Sequence, residues 1–368
     1  MATLSTYTEG RNNNFNLIRF TTALYVIYCH CYPILNINNT LTKISGSVGF
    51  VVVDIFFITS GFLVTTSLLT QPDVVFFVYK RFLRIFPGLL VNLIFCVFIL
   101  GPLFTNLSIQ SYFSNSQTFR FFYNNLFLIH EWYLPGVFTS NYFKDCVNVS
   151  LWTLPWEAKM YSLIAAIGLF SYFNDSISFQ KIAKITITLI AIVASTMYAS
   201  KHLAADDPQT MHPYRFTTMF FIGAVLYMYK EKVTISRQLF ILSIVGLALY
   251  FWLLITFPEI VRWFLLAYVL FISYIVVYIA HVPKGSILKF NNLPDWSYGL
   301  YIYGFPIQQS IAAIYPDISF TALFISSASI TLFMASLSWH FIEKRSIELK
   351  KHFNSYKILI NTNKLFNT

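Results

Sequence analysis

Charge is scarce in this chain: Asp, Glu, Lys and Arg make up 11% of its 368 residues, against 57% hydrophobic and 19% aromatic. A soluble domain of this size carries roughly 25% charged residues, so that class is excluded. Acidic residues are the scarcer half, 15 against 25 Lys and Arg, which leaves a formal charge of +10. The cations stand between apolar runs and not along one face, which excludes a nucleic-acid partner. Cysteine is rare too. Cys29 and Cys31 flank a histidine and point apart on a helix, Cys96 is mid-span, and Cys146 is alone in a polar loop. No CxxC or Cys/His zinc spacing exists, so neither a metal site nor a disulfide framework is expected. The polar opening MATLSTYTEGRNNN lacks the short apolar stretch and small-residue cleavage site of a removable signal peptide. No repeat of fixed period and no matching halves are present, so the fold is not built of repeating units.

What is there is a series of apolar runs of about 20 residues, each long enough to cross a bilayer. They predict an all-α, polytopic membrane helix bundle of about ten transmembrane helices, near residues 16–36, 48–69, 86–105, 152–172, 183–200, 214–230, 238–257, 260–280, 296–314 and 319–342. Pro87, Pro258, Pro294 and Pro316 punctuate span ends. With the N-terminus inside, the inner segments hold seventeen Lys and Arg and the outer ones six. That asymmetry predicts a cytoplasmic location for both termini. The chain then reads as one membrane domain, residues 1–345, and a basic cytoplasmic tail, residues 346–368. The largest outer segment, residues 106–151, is rich in aromatics and Asn (FRFFYNNLFLIHEWYLPG). It is too small for a separate domain and reads as a partly ordered lid or an interfacial helix.

The ionisable residues inside spans are the candidates for chemistry. Arg19 and His30 lie in the first, NLIRFTTALYVIYCHCYPIL. Eleven helical steps turn by about 1100°, so the two side chains share a face, ~16 Å apart along the axis. A charge at mid-membrane costs ~2.5–3.5 kcal/mol on insertion scales, so such a pair points to chemistry or transport. The plainer alternative is that Arg19 snorkels to the headgroups and His30 is a neutral interhelical residue. Asp54 in GFVVVDIFFITSGFL and Glu157 in WTLPWEAKMY read as the only carboxylates well inside a span. In the expected topology His30, Asp54 and Glu157 fall at a similar depth near the outer face. A histidine with a carboxylate nearby is a base whose tautomer can be set. The alternative for the carboxylates is ion pairing with Arg19 or Lys159.

On the opposite side, YKRFLRIFP places Lys80, Arg81 and Arg84 in one short segment. Arg81 and Arg84 are three apart and share a helix face. Guanidinium groups suit bidentate phosphate binding. From spacing alone, an ordinary positive-inside anchor or a contact with anionic lipid is the better reading. Ser60-Gly61 reads first as a small pair that lets helices approach closely. An inner cationic patch and an outer His/carboxylate cluster suit a phosphate-bearing donor from the cytoplasm and an acceptor near the outer face. They suit a transporter almost as well.

Six segments, taken in order, carry a more specific resemblance. They are Arg19-x10-His30, VDIFFITSGFL (Val53 to Leu63), KRFLRIFP (Lys80 to Pro87), WTLPWE with Tyr161, WSYGLYIYGFP (Trp296 to Pro306) and WHFIEK (Trp339 to Lys344). Over nearly its full length the chain resembles the acyltransferase type 3 family, multi-pass bacterial membrane enzymes that O-acylate cell-surface carbohydrates. It departs from the family pattern at Val52, where Gly is usual, at Gly304, where His is usual, and at Arg345, where Pro is usual. Lys159 is also unusual beside the Glu. No extracytoplasmic hydrolase-like domain follows the last span, so the resemblance is to single-domain members, those acting on O-antigen above all.

The resemblance implies transfer of an acyl group, acetyl first, from acyl-CoA as co-substrate to a hydroxyl of a surface glycan or a lipid-linked sugar in the bacterial inner membrane. It gives His30 the role of general base or transient acyl carrier. Asp54 or Glu157 would orient it, and Arg19, Arg81 and Arg84, with Lys80 beside them, would meet the CoA phosphates or the developing oxyanion. No permanently bound cofactor and no metal are expected, and the partners are donor, glycan and membrane lipid. Two other classes stay open. One is a polysaccharide flippase or transporter. The other is a lipid-linked glycan polymerase, which usually depends on larger external loops than residues 106–151.

Overall fold

The computed structural model describes residues 2–8, 12–37, 40–170, 176–204 and 208–351, with side chains 40–48, 176–178 and 208–210 outside the description. Each of the ten expected spans is met by a helix of 16 residues or more. These are α1 (Phe15–Ile34), α2 (Thr40–Thr70), α3 (Val74–Ile94), α4 (Leu154–Leu169), α5 (Ser176–Leu203), α6 (Pro208–Met228), α7 (Arg237–Thr256), α8 (Leu265–His281), α9 (Ser297–Ile314) and α10 (Phe320–Ser338). α3 runs on through a π-helical segment, Phe95–Leu100, into Gly101–Phe104, and α10 through Trp339–Glu343 into Lys344–Glu348. Among the described residues there is no strand, only isolated bridges such as Thr3 with Thr234. The chain is an all-α membrane helix bundle. Residues 352–368, most of the expected tail, lie outside the described residues, as does Arg11.

Six stretches are long and apolar enough to cross a membrane by length and composition: Gly49–Thr70, Val74–Phe104, Phe179–Leu203, Arg237–Thr256, Pro258–His281 and Phe320–Glu348. α1, α4, α6 and α9 fall short of that measure. They are the helices that carry Arg19 and His30, Glu157 and Lys159, Arg215, and Gln308 and Gln309. Polar side chains lower hydropathy, and such helices must turn them toward protein. α9 accordingly buries 14 of its 18 residues. α7 is the opposite case, with Leu239, Ile241, Leu242, Val245, Leu249, Trp252 and Ile255 exposed for lipid.

The chain forms two compact units that interleave in sequence: Met1–Tyr25, Thr40–Pro72 and Trp156–Leu293 in the first, and Val26–Asn39, Asp73–Pro155 and Pro294–Thr368 in the second. In the first unit, α2 and α6 meet backbone to backbone at reciprocal glycines. A Cβ on Gly61 would strike the Phe220 carbonyl, and one on Gly223 the Ile58 carbonyl. The close packing expected at Ser60-Gly61 is therefore there, with its partner glycine on α6. At one end of this unit Leu4, Phe15, Ile18, Phe62, Ile235, Val277 and Ala280 form an apolar cluster that pins the first residues of the chain.

Prolines leave carbonyls without their helical donor, and in hydrocarbon that vacancy must be filled by side chains. Pro283 cannot donate to the Ile279 carbonyl, and Asn14 Nδ2 donates to it instead at 3.1 Å, in the first unit. In the second unit Pro306 leaves Ile302 O open, and it accepts from Asn92 Nδ2 at 3.0 Å and Asn148 Nδ2 at 2.8 Å. In the π-segment of α3 the Gly101 N–H bonds to Cys96 O, five residues back. The next such bond, to Val97 O, would need an N–H from Pro102, and the Tyr112 hydroxyl supplies it at 3.0 Å.

Residues 106–151, the expected outer segment, are docked within the second unit. Its short helices Ile109–Ser114 and Ser116–Leu126 are capped by the Ser108 and Asn115 side chains. Asn141 Nδ2 donates to the backbone and side-chain oxygens of Gln309, both at 3.0 Å. Gln309 Nε2 donates in return to Phe143 O at 2.7 Å and Cys146 O at 2.8 Å.

Candidate active site

In the first unit, Asp54 on α2 is fully buried and closed on all sides. Arg215 on α6 forks onto it, Nε to Oδ1 at 2.8 Å and Nη2 to Oδ2 at 2.8 Å. The Tyr268 hydroxyl on α8 donates to Oδ2 at 2.5 Å. Tyr250 of α7 stacks on Tyr268 with centroids 4.9 Å apart, and Arg215 lies over the Phe50 ring at 4.9 Å. The ion-pair partner is thus Arg215, where the sequence suggested Arg19 or Lys159. Arg215 stands one residue inside the sixth expected span, near its boundary.

Glu157, in the first turn of α4, accepts from the Tyr161 hydroxyl one turn on, and that hydroxyl lies 3.2 Å from Ser60 Oγ. Lys159 points elsewhere, its ammonium 3.9 Å from the Trp156 ring centroid. Arg19 and His30 share α1 as the sequence predicts. Arg19 falls in the part of α1 that belongs to the first unit, and His30 in the part that belongs to the second.

The His30 ring meets Phe305 of α9 edge to face, centroids 5.1 Å apart and planes at 90°. His30 Nδ1 is buried and has no hydrogen-bond partner among the described residues. The α1–α9 contact is stitched on both sides of the ring. Gln308 Nε2 donates to Ile27 O at 2.8 Å and to Cys31 Sγ at 3.1 Å. A Cβ on Gly304 would come within 2.9 Å of Ile27 Cγ1, so a side chain there has no room without movement of Ile27. Within the same unit Phe143 of the outer segment contacts Phe305, centroids 5.6 Å apart at 79°.

The basic segment is the N-terminal half of α3, begun by Asp73 capping the Phe76 N–H at 3.0 Å. Arg84 already has protein carboxylates: Asp295 Oδ2 at 2.5 Å and Glu343 Oε2 at 3.6 Å. Tyr298 and Trp339 flank its guanidinium at 5.8 and 6.0 Å. Lys80 Nζ sits 4.7 Å from the Phe76 centroid and Arg81 5.8 Å from that of Phe77. Glu343 is a second buried carboxylate, 1% exposed, and accepts from Ser338 Oγ at 3.0 Å. The expectation of two in-span carboxylates missed it because it falls just past an expected span end. The WHFIEK segment was the available signal.

Among the described residues no group of His, Cys, Asp and Glu is placed to hold a metal ion. Cys146, alone in a polar loop, is nevertheless 1% exposed, and burial pushes its thiol up to about 12.

The sequence model described as an acyltransferase domain matches residues 12–340. The chain is 27% identical, over 91% of its length and 96% of the relative's, to a protein of Shigella phage Sf6 named O-acetyl transferase. It is 25% identical, over 94% of its length and 95% of the relative's, to one of Rhizobium leguminosarum bv. viciae named Nodulation protein 10. No solved structure matches the chain.

Proposed function

Because this chain belongs to the acyltransferase type 3 family, matched over residues 12–340, and is an O-acyltransferase, we propose that it moves an acyl group, acetyl first, from acyl-CoA to a hydroxyl of a cell-surface polysaccharide or its lipid-linked precursor, of the O-antigen kind. The enzyme sits in the bacterial cytoplasmic membrane with both termini inside. The observation that carries the reading is the open Nδ1 of His30 inside an apolar helix. A buried polar atom without a partner is costly, and one kept in that state has its valence free for a substrate proton.

In this reading His30 Nδ1 takes the proton of the sugar hydroxyl as its oxygen attacks the thioester carbonyl carbon. The carbon–sulfur bond breaks, the CoA thiolate leaves, and it takes the proton back from the imidazolium. Lys80 and Arg81 meet the donor's phosphates. Arg84 fixes the Asp295–Glu343 cluster, so its part in donor binding is indirect. Asp54 serves the fold, both oxygens being taken by Arg215 and Tyr268. Glu157 is hydrogen-bonded to Tyr161.

The test is mass analysis of surface glycan with and without the protein. Loss of one acetyl increment per modified sugar supports the reading. Altered chain length would indicate a polymerase, and unmodified glycan held inside the cell a transporter. For orientation, cysteines placed at Lys232 and at Tyr142, which is 67% exposed, replace the buried Cys146 as probes. An impermeant thiol reagent labelling the Lys232 position and not the Tyr142 position would overturn it.

A further inference from the structure

His30 Nδ1, the nitrogen that acts as base in this reading, has no partner among the described residues, so it does not orient the ring. The ring contact at this position is Phe305, perpendicular at 5.1 Å. Phe305 is itself immobilised. It is 1% exposed, and α9 is gripped before it at Ile302 O by Asn92 and Asn148, and after it through Gln308 and Gln309. The face contacted by His30 is thereby coupled to the outer segment, since Phe143 packs on Phe305 and its carbonyl accepts from Gln309 Nε2.

We propose that Phe305 is the positioning residue for the His30 imidazole, held in place by Phe143 of the outer segment. The pair does by edge-to-face packing what a hydrogen-bonded carboxylate does elsewhere. Aromatic rings favour this perpendicular arrangement at centroid separations of 4.5–7 Å, and it defines the angle of the imidazole plane. The inference rests on the reading of His30 as base.

The test measures transfer from labelled acetyl-CoA to glycan by membranes, per inserted molecule, for Phe305→Leu, Phe305→Tyr, Phe143→Leu and His30→Ala. A misplacement of the base by about 1 Å costs on the order of 100-fold. Phe305→Leu is therefore expected to lower kcat by roughly that factor with KM for both substrates unchanged, and Phe305→Tyr to recover it to within a few-fold. Phe143→Leu, at a half-buried position that tolerates truncation, is expected to lower kcat by a smaller factor, roughly tenfold, and it decides the matter if Phe305→Leu does not accumulate. Wild-type kcat in Phe305→Leu, or in Phe143→Leu alone where the former is absent, overturns the positioning role while an inactive His30→Ala leaves the base reading standing. A rise in acceptor KM at constant kcat also overturns it, because Phe305 would then be a sugar contact. An active His30→Ala overturns the base reading itself.

Discussion

Two titratable groups, one in each unit, are treated in opposite ways. Asp54 is fully buried, and its carboxylate accepts three hydrogen bonds, two from Arg215 and one from the Tyr268 hydroxyl. The His30 ring packs perpendicular to the Phe305 ring, and its Nδ1 has no hydrogen-bond partner among the described residues. In an apolar medium an unfilled hydrogen-bonding group is a standing cost. In the proposed reading the contrast is between charge kept to hold helices and polarity kept to meet a substrate.

The widest separation between the two comes from removing each. His30→Ala takes a polar group out of an apolar helix, so insertion and accumulation should match wild type. Acyl transfer per inserted molecule should fall by about 10²–10⁴-fold. Residual transfer within a few-fold of wild type would make the two groups alike after all. Asp54→Ala should fail in the other assay. It leaves the Arg215 guanidinium buried and unpaired, a loss of about 3–5 kcal/mol. The expected result is a lower Tm in detergent and less inserted protein, with transfer per surviving molecule near wild type. If Asp54→Ala accumulated normally and were inactive, Asp54 would belong with His30.

A smaller effect tests whether closure by side chains is general. Asn148→Ala removes one of the two amides on Ile302 O and should cost about 1–3 kcal/mol of stability. Pro306→Ala returns an N–H to that carbonyl, so Asn148→Ala should cost less in the Pro306→Ala background, read as a non-additive Tm change. Equal costs in both backgrounds would mean that the amide serves something other than the open carbonyl.

The smallest expected effect concerns His130, in the outer segment. Its Nδ1 accepts from Trp132 Nε1 at 2.6 Å, and burial pushes its pKa down to about 4. The unfolded imidazole takes its proton near pH 6.5, the folded one only near 4. The contribution of this contact is therefore whole above pH 6.5 and is lost as pH falls from 6.5 to 4. Trp132 fluorescence or protease sensitivity of residues 124–133 should follow that window and lose it in His130→Phe. A transition unchanged in that variant would assign it to another group.

The ten helices were legible because apolar length survives in the sequence whatever the helix packs against. Gly61 was legible for a similar reason, since a lone small residue in a run of Phe, Ile and Leu has few uses besides close approach. The partners were not. Arg215 stands 161 positions from Asp54 and looks like any boundary cation. Glu343 sits just past an apolar run and looks solvated, although Arg84 and Ser338 enclose it. Phe305 read as one more aromatic in WSYGLYIYGFP, because hydropathy records that a ring is buried and not what its edge faces. The family resemblance marked His30 and the basic segment, but not that Arg84 is already committed to carboxylates.

The open carbonyl of Ile302 also imposes an order of events during synthesis. Its two acceptor-fillers precede it by 154 and 210 positions. When α9 leaves the ribosome, α3 and the segment that carries Asn148 have already been made. α9 therefore enters the membrane carrying a vacancy that isolated lipid cannot fill. Capture by Asn92 and Asn148 removes that penalty at the moment of docking, so the defect acts as a latch. It favours the one lateral position and rotation in which Pro306 faces waiting amides, and it does so before any contact made by α10 exists.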